Sequence, residues 1–276
     1  MHVFRCGRFR LSLDRPIVMG IVNLTPDSFS GDGLGADESA AIEHALAQVE
    51  AGAHILDLGA ESSRPGAAPV SATEELARLL PVLRVLRDGP IPVSVDTCKA
   101  EVMRAALDEG AAMINDIAAL QAPGAMAAVR RYDAAVCLMH MQGEPGNMQL
   151  DPEYEDVVGE VKAFLEQRVA ACVAAGIERD RLIVDPGFGF GKTVGHNLAL
   201  LAHLDRMQDI GLPVMAGLSR KSMLGAITGQ PVTARLHASI AAAVLAAERG
   251  AAILRVHDVA ATRDALAVLE AVRGTE

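Results

Sequence analysis

The fold is decided by the stretch Leu182-Ile183-Val184-Asp185-Pro186-Gly187-Phe188-Gly189-Phe190-Gly191-Lys192-Thr193. Its first three residues are apolar and predict a short buried strand, which ends at an acid and a glycine-rich loop. The glycines do not form a nucleotide motif. A phosphate loop ending at Thr193 requires glycine at position 186, and a dinucleotide motif starting at Gly187 requires glycine at position 192. The stretch therefore predicts an acid at the carboxyl end of a parallel strand.

The same order of apolar strand, polar strand end and helix recurs along the chain. Strands are predicted at 17–23, 55–59, 92–96, 113–116, 135–140, 182–185, 213–217 and 253–257. Helices are predicted at 39–51, 72–87, 100–109, 124–131, 156–175, 195–207, 235–249 and 259–272. Eight such alternations in about 250 residues are typical of a (β/α)8 TIM barrel in the α/β class, and a doubly wound open sheet is the alternative.

The N-terminal segment precedes the first barrel strand. Val3-Phe4 and Phe9-Arg10-Leu11, separated by Gly7, predict a short hairpin that plugs the amino end of the barrel. We found no composition shift typical of a linker, so residues 1–276 are expected to form one domain, with the hairpin at 1–14 and the barrel at 15–276.

The composition argues against several classes of protein. A net charge of -10, 3% aromatic residues and the absence of tryptophan disfavour a nucleic-acid partner. The cysteines form no C-x-x-C pair, which disfavours a disulfide framework or a zinc site; they are Cys6, Cys98, Cys137 and Cys172. No apolar run reaches signal or membrane-span length, so we expect a cytoplasmic protein without a membrane partner.

Polar side chains gather at the predicted strand ends, where barrels of this kind carry their chemistry. They are Asn23, Asp57, Asp96, Asn115, Asp116, His140, Asp185, Ser219, Arg220, Lys221, Arg255 and His257. Acids and amides follow the first six strands, and cations follow the last two. This order predicts a ligand with a donor-rich polar head and an anionic tail. The position of Asp57 is equally consistent with a buried structural acid and with a site residue. The position of His140 is more consistent with a packing role than with a role in the site.

Two long loops, 24–35 and 61–71, are candidate lids. Asp27 and Phe29 in the first loop fit either a binding role or the outer surface of the lid. Because no H-E-x-x-H or similar spacing occurs, we expect any metal to be Mg²⁺ held by few protein ligands and by the phosphates of a substrate.

A resemblance to a known family rests on motifs that run in order along nearly the whole chain. They are GIVNLTPDSFS at 20–30, ESSRPG at 61–66, SVDT at 94–97, IND at 114–116, LMHMQG at 138–143, DPGFGFGK at 185–192, SRKS at 219–222 and RVHD at 255–258. The sequence resembles the bacterial dihydropteroate synthases, a pterin-binding barrel family. These enzymes join 6-hydroxymethyl-7,8-dihydropterin diphosphate to 4-aminobenzoate, giving 7,8-dihydropteroate and diphosphate in folate synthesis.

The resemblance implies a role for each matching position. Residues implied in pterin binding are Asp96, Asn115 and Asp185, with Lys221 at the edge of the ring and Arg255 over its face. Residues implied at the diphosphate are Asn23, which also binds Mg²⁺, together with Arg255 and His257. Ser63 and Arg64 belong to the second long loop, and Ser222 meets the carboxylate of 4-aminobenzoate. The catalytic set implied is Lys221, Arg255, His257, Asp96 and Asp185.

Two positions depart from the family pattern. Ser63 stands where threonine is usual, and Ala60 stands where glycine is usual. Ser63 keeps the hydroxyl but lacks a methyl group, which bears on loop packing and sulfonamide sensitivity. The resemblance also implies a homodimer through the late helices. The helix predicted at 235–249 has an apolar stripe broad enough for a second surface.

The chemistry requires no nucleophile from the protein, because the amine of 4-aminobenzoate attacks. We therefore expect electrostatic stabilisation and positioning, with dissociative loss of diphosphate before amine capture. One alternative is a pterin-binding paralogue without synthase activity. Another, less favoured because both loop motifs are present, is a corrinoid-linked pterin methyltransferase.

Overall fold

A two-stranded hairpin and a closed barrel make up the sheet structure of the computed structural model, which describes residues 3–25, 38–62, 69–144 and 146–275. The strands in these ranges are β1 (Val3–Cys6), β2 (Phe9–Ser12), β3 (Ile17–Asn23), β4 (Ile55–Gly59), β5 (Val93–Asp96), β6 (Met113–Asp116), β7 (Ala135–Met139), β8 (Leu182–Asp185), β9 (Val214–Ala216) and β10 (Ala251–Val256). The parallel strands β3 to β10 pair in sequence order, and β10 closes the barrel by pairing with β3. The predicted TIM barrel is confirmed, and the open sheet is excluded.

Helices follow the barrel strands and cover the outside. They are α1 (Glu38–Glu50), α2 (Ala72–Leu86), α3 (Ala100–Asp108), α4 (Ala125–Val129), α5 (Val157–Ala174), α6 (Val194–Ala202), α7 (Ser222–Thr228), α8 (Leu236–Glu248) and α9 (Val259–Arg273). Most bounds lie within one or two residues of the prediction, a normal spread for helix ends. The short helix α7 was not predicted.

The helix predicted at 195–207 is wrong in its second half. Helix α6 ends at Ala202, and a 3₁₀ segment occupies Leu204–Ile210. The buried side chains of this segment are Leu204, Met207 and Ile210, spaced every three residues. That spacing matches the three residues per turn of a 3₁₀ helix, so the tighter winding buries all three on one face.

The hairpin closes the amino end of the barrel, as predicted. Phe4 is 1% exposed and Cys6 is fully buried, and both pack among side chains that point into the barrel. On the outer side, Arg5 pairs with the carboxylates of Asp133, Glu178 and Asp180. The hairpin is therefore held by an apolar contact inside and by ion pairs at the rim.

Alternation along each strand divides the barrel interior into two layers. The lower layer is apolar and includes Ile17, Met19, Ile55, Met113, Cys137, Ile183, Met215 and Ile253. Two residues further along four of these strands, the same face carries the polar groups Asp57, Asn115, Asp185 and Arg255. The apolar layer supports these groups from below and keeps them at the carboxyl mouth.

In the described part of the chain, every helix is too short or too polar to cross a membrane. The cytoplasmic location stays a prediction. All four cysteines are free thiols, as the sequence indicated.

Candidate active site

A cavity of about 560 Å³ opens at the carboxyl ends of the barrel strands. The predicted site residues that line it are Asn23, Asp96, Asn115, Asp185, Lys221, Ser222, Arg255 and His257. Four further predicted residues, Asp27, Phe29, Ser63 and Arg64, lie outside the described residues. The strand ends therefore bring the described candidates together at one mouth.

Arg255 joins two carboxylates at the floor of the cavity. Its Nε donates to Oδ2 of Asp57 at 2.6 Å, and its second terminal nitrogen donates to Oδ2 of Asp96 at 2.9 Å. Burial lowers the pKa of Arg255, but the two carboxylates outweigh burial and raise it above the ordinary value. Burial raises the pKa of Asp96 to about 7, and the charge of Arg255 opposes that rise.

Asp57 is the residue whose role the sequence left open. It is fully buried and also accepts a hydrogen bond from Nδ2 of Asn115 at 3.1 Å. This contact fixes which way the Asn115 amide points, because the opposite orientation would set two oxygens against each other. Asp57 is therefore a buried support beneath two predicted site residues, Arg255 and Asn115.

Asp185 ends β8 and reaches into the following loop. Its Oδ1 accepts the N–H of Gly187 at 2.7 Å. Burial raises the pKa of the Asp185 carboxyl, whereas the Gly187 hydrogen bond and the charges of Lys221, Lys192 and Arg255 act in the opposite direction. The side chain thus offers its second oxygen close to several cationic groups.

Lys221 lies on the other side of the same loop. Its Nζ donates to the carbonyl of Phe188 and stands 4.2 Å from the centre of the Phe190 ring. Burial lowers the pKa of Lys221 to about 8, and the carboxylate of Asp185 limits the fall. An amine that is protonated near neutral pH and sits against an aromatic face is suited to hold an electron-rich ring.

His257 and Ser219 form a hydrogen-bonded pair at the rim of the cavity. The Oγ of Ser219 lies 2.9 Å from Nδ1 of His257. Arg220 forms a two-point ion pair with Asp258, with contacts of 3.1 and 2.7 Å. Ser219 and Arg220 follow β9, whereas His257 and Asp258 follow β10, so these contacts tie together two neighbouring loops that carry cations.

Two polar strand-end residues serve the fold. His140 is 6% exposed and packs edge-on to Phe164 with ring centres 4.9 Å apart, in line with its predicted packing role. Asp116 is fully buried, and its two oxygens accept the N–H groups of Ala118 and Leu120 at 2.8 and 2.7 Å. Neither residue lines the cavity.

Several residues that line the cavity were not assigned a role in the site from the sequence. They include Ile21, Glu61, Ile117, Met139, Met148, Gln149, Phe190 and Gly217. Most are apolar or small, and only the three-dimensional fold brings them to the mouth. Phe190 had one sequence signal, because it lies in the DPGFGFGK motif at 185–192.

A metal ligand set is sparse in this part of the molecule. Within the described ranges, no group of three or more His, Cys, Asp or Glu side chains could hold an ion. Asn23 ends β3, and the neighbouring strand end carries Gly59. A Cβ at position 59 would lie 4.0 Å from Oδ1 of Asn23 and 3.9 Å from Oδ2 of Asp96. The glycine therefore leaves open space between two oxygen donors.

A second cavity, of about 530 Å³, lies at the opposite end of the barrel between the hairpin and α9. It contains none of the predicted site residues. One of its arginines, Arg15, pairs with Glu270 at 3.0 Å, and another, Arg263, faces His54 at 3.0 Å. The carboxyl-end cavity is therefore the candidate active site.

Comparisons with known proteins agree with the resemblance. The family described as "Pterin binding enzyme" matches residues 19–257. The dihydropteroate synthase of Neisseria meningitidis serogroup C is 50% identical over 98% of each chain. That of Escherichia coli strain K12 is 48% identical over 98% of this chain and 96% of its own.

Solved structures of similar proteins extend the comparison. The Yersinia pestis dihydropteroate synthase in complex with a sulfonamide drug superposes with a TM-score of 0.95, at 46% identity over 98% of each chain. The Xanthomonas albilineans dihydropteroate synthase in complex with 7,8-dihydropteroate superposes with a TM-score of 0.88, at 48% identity over 99% of each chain. Fold, strand-end residues and relatives thus agree, and the chain belongs to the dihydropteroate synthases of the pterin binding enzyme family.

Proposed function

We propose that the chain condenses 6-hydroxymethyl-7,8-dihydropterin diphosphate with 4-aminobenzoate in the carboxyl-end cavity. The observation that carries this proposal is the meeting of two kinds of group in one cavity. Asp96, Asn115 and Asp185 supply oxygen acceptors, and Lys221, Arg255 and His257 supply nitrogen donors. The first set fits the donors of a pterin ring, and the second fits a diphosphate leaving group.

The pterin ring would be held by Asp96, Asn115 and Asp185. Each offers oxygen acceptors to the ring N–H donors. Among the described residues, no partner reaches Oδ1 of Asn115 or Oδ1 of Asp57. A donor-rich ring or a bridging water would supply the missing donors, because buried acceptors of this kind are normally satisfied. Lys221 would lie at the edge of the ring and Arg255 over its face.

The diphosphate would lie towards Asn23, Arg255 and His257. Asn23 offers a neutral oxygen, the kind of ligand that Mg²⁺ accepts alongside phosphate oxygens and water. Gly59 has no side chain to fill the space beside Oδ1 of Asn23. The donor set therefore fits Mg²⁺, which when bound would neutralise charge on the diphosphate. Arg255 and His257 would bind the leaving group from the protein side.

The protein would act by orientation and charge, since the attacking group is the substrate's own amine. Diphosphate would leave first, and the electron-rich dihydropterin would carry the positive charge at its methylene carbon. Positional isotope exchange within the diphosphate, measured without 4-aminobenzoate, tests this order. Scrambling of the bridging oxygen is expected, and its absence would favour direct displacement.

The aminobenzoate carboxylate would meet Ser222, the first residue of α7, which lines the cavity. The family resemblance also implies a substrate-binding role for Ser63 and Arg64, which lie outside the described residues. Since a sulfonamide drug is bound in the Yersinia pestis relative, we also propose that sulfonamides compete with 4-aminobenzoate in this chain.

We further propose a homodimer formed through the late helices. Exposed apolar side chains occur on each of three successive helices: Leu198 on α6 is 43% exposed, Ile227 on α7 is 54% exposed and Leu245 on α8 is 40% exposed. Light scattering at micromolar concentration should give a dimer, and Leu245→Glu should weaken it more than Val85→Glu on α2. A monomeric wild-type chain would contradict the proposal.

The synthase activity is tested by diphosphate release from the purified chain given the pterin diphosphate, Mg²⁺ and 4-aminobenzoate. Release should depend on 4-aminobenzoate and should be lost in Asp185→Asn and Lys221→Ala. Tight pterin binding without release would instead identify the non-catalytic paralogue. Transfer of a methyl group from a methylated pterin would identify the methyltransferase.

A further inference from the structure

Lys192 lies beneath the glycine-rich loop after β8 and is not part of the cavity lining. The residue is 3% exposed. Its Nζ lies 2.9 Å from each of three acceptors, the carbonyl oxygens of Gly187 and Phe190 and Nδ1 of His140. Burial lowers the pKa of Lys192 to about 7, while Asp185 opposes the fall. The amine therefore donates three hydrogen bonds below that pH and two above it.

Lys192 and Lys221 bind carbonyls of the same short loop. Lys221 takes the carbonyl of Phe188, whereas Lys192 takes those of Gly187 and Phe190 on either side of it. The N–H of Phe190 also donates to the Gly187 carbonyl at 3.1 Å, which closes a tight turn. Lys192 therefore constrains the loop on both sides of the Phe188 carbonyl.

His140 completes the support from the neighbouring strand. Its backbone N–H donates to the Asp185 carbonyl at 3.0 Å, and its ring accepts from Lys192. Burial and the charge of Lys192 lower the pKa of His140 to about 3, so the ring stays neutral and remains an acceptor. His140 therefore remains available as an acceptor for Lys192 near neutral pH.

We propose that Lys192 is a positioning residue for the family reaction. By supporting the loop that presents the Phe188 carbonyl, Lys192 holds Lys221 against the bound pterin. Lys192 acts through Lys221 and through the Gly187 N–H bonded to Asp185, and touches no substrate itself. This inference rests on the proposed function, because that function assigns Lys221 and Asp185 to the pterin.

The test compares Lys192→Met with Arg181→Met. Arg181 is a matched control, since it is also 3% exposed and donates to two carbonyls, Ala134 at 2.7 Å and Val129 at 3.1 Å, but at the amino end of β8. Both variants should unfold more easily. Only Lys192→Met should weaken binding of 7,8-dihydropteroate, by roughly tenfold, and raise KM for the pterin diphosphate more than it lowers kcat. Equal affinities in the two variants would overturn the proposal.

A double-mutant cycle with Lys221→Met separates positioning from general damage. If Lys192 acts through Lys221, the Lys192→Met change should cost less than about threefold in pterin affinity once Lys221 is removed. The same roughly tenfold loss in both backgrounds would contradict action through Lys221.

A less severe pair covers the case in which Lys192→Met does not fold. Lys192→Gln keeps an amide group, with two N–H donors in place of three. It should weaken pterin binding more than Arg181→Gln does, and equal affinities would again overturn the proposal. Binding by the wild-type chain is the reference. A wild type that did not bind 7,8-dihydropteroate would contradict the proposed function as well. If the wild type binds, the comparison of the variants tests only the role of Lys192.

Discussion

The Nε of Arg255 donates to Oδ2 of Asp57 at 2.6 Å, and Asp57 is fully buried. Removing one partner of a buried ion pair is destabilising, and Arg255 would then keep only Asp96 as a carboxylate partner. Asp57→Asn should therefore lower the free energy of unfolding by about 3 kcal/mol in urea denaturation. It should also weaken pterin binding, because Arg255 and Asn115 both lose their support.

The matched change for this prediction is Asp88→Asn. Asp88 is 81% exposed and lies 3.7 Å from Arg87. Exposed pairs contribute at most about 1 kcal/mol, so this variant should be close to wild type. Similar losses in the two variants would show that the Asp57 contact contributes little.

The pH dependence of kcat/KM for the pterin diphosphate should be bell-shaped. Burial raises the pKa of Asp96 to about 7 and lowers that of Lys221 to about 8. Below the first value Asp96 gains a proton and loses acceptor strength, and above the second Lys221 loses its charge. The value of kcat/KM should fall roughly tenfold per pH unit below the pKa of Asp96 and above the pKa of Lys221. Lys221→Arg should remove the alkaline limb and keep the acid one; an unchanged alkaline limb would exclude Lys221 as its source.

Gly187 can be tested against a glycine that shares only its backbone conformation. Gly187 has a φ of +69°, and a Cβ there would lie 1.8 Å from the His140 carbonyl oxygen. Gly176 has a φ of +89°, and no described atom lies within 4 Å of its added Cβ. Gly176→Ala should cost about 1 kcal/mol of stability. Gly187→Ala should cost about 3 kcal/mol or more by chemical denaturation. Equal losses of stability in the two variants would mean that the loop at Gly187 can move to accommodate a Cβ without further destabilisation.

Chelation of divalent cations should stop diphosphate release, and Mg²⁺ should restore it. Asn23→Ala should raise the Mg²⁺ concentration for half-maximal rate at least roughly tenfold. Asn23→Asp keeps an oxygen ligand and should stay near wild type. Calorimetry of Mg²⁺ binding in the presence of diphosphate gives a second readout. An unchanged Mg²⁺ requirement in Asn23→Ala would remove Asn23 as a ligand.

The barrel could be predicted from the sequence because each strand repeats one local pattern, an apolar run with a polar end. The structure of the second half of the helix predicted at 195–207 could not be predicted in this way. Leu204 and Met207 are three residues apart, so they would lie on the same face of either an α-helix or a 3₁₀ helix. The sequence pattern therefore does not distinguish the two kinds of helix there. Helix α7, at seven residues, is too short to show a period.

The strand-end residues of the site were predictable for the same local reason. The role of Asp57 was not, because its partner Arg255 lies 198 residues away and a buried acid cannot be distinguished from a reactive one by its neighbours in sequence. The pairing of Lys192 with His140, 52 residues apart, was hidden for the same reason.

A crystal structure of this chain with 7,8-dihydropteroate would test the assignment of the active site. We expect the pterin N–H groups within hydrogen-bond distance of Asp185 and Asn115, with Lys221 at the ring edge and the benzoate carboxylate near Ser222. A product molecule bound elsewhere, for example in the cavity between the hairpin and α9, would contradict the assignment of the active site.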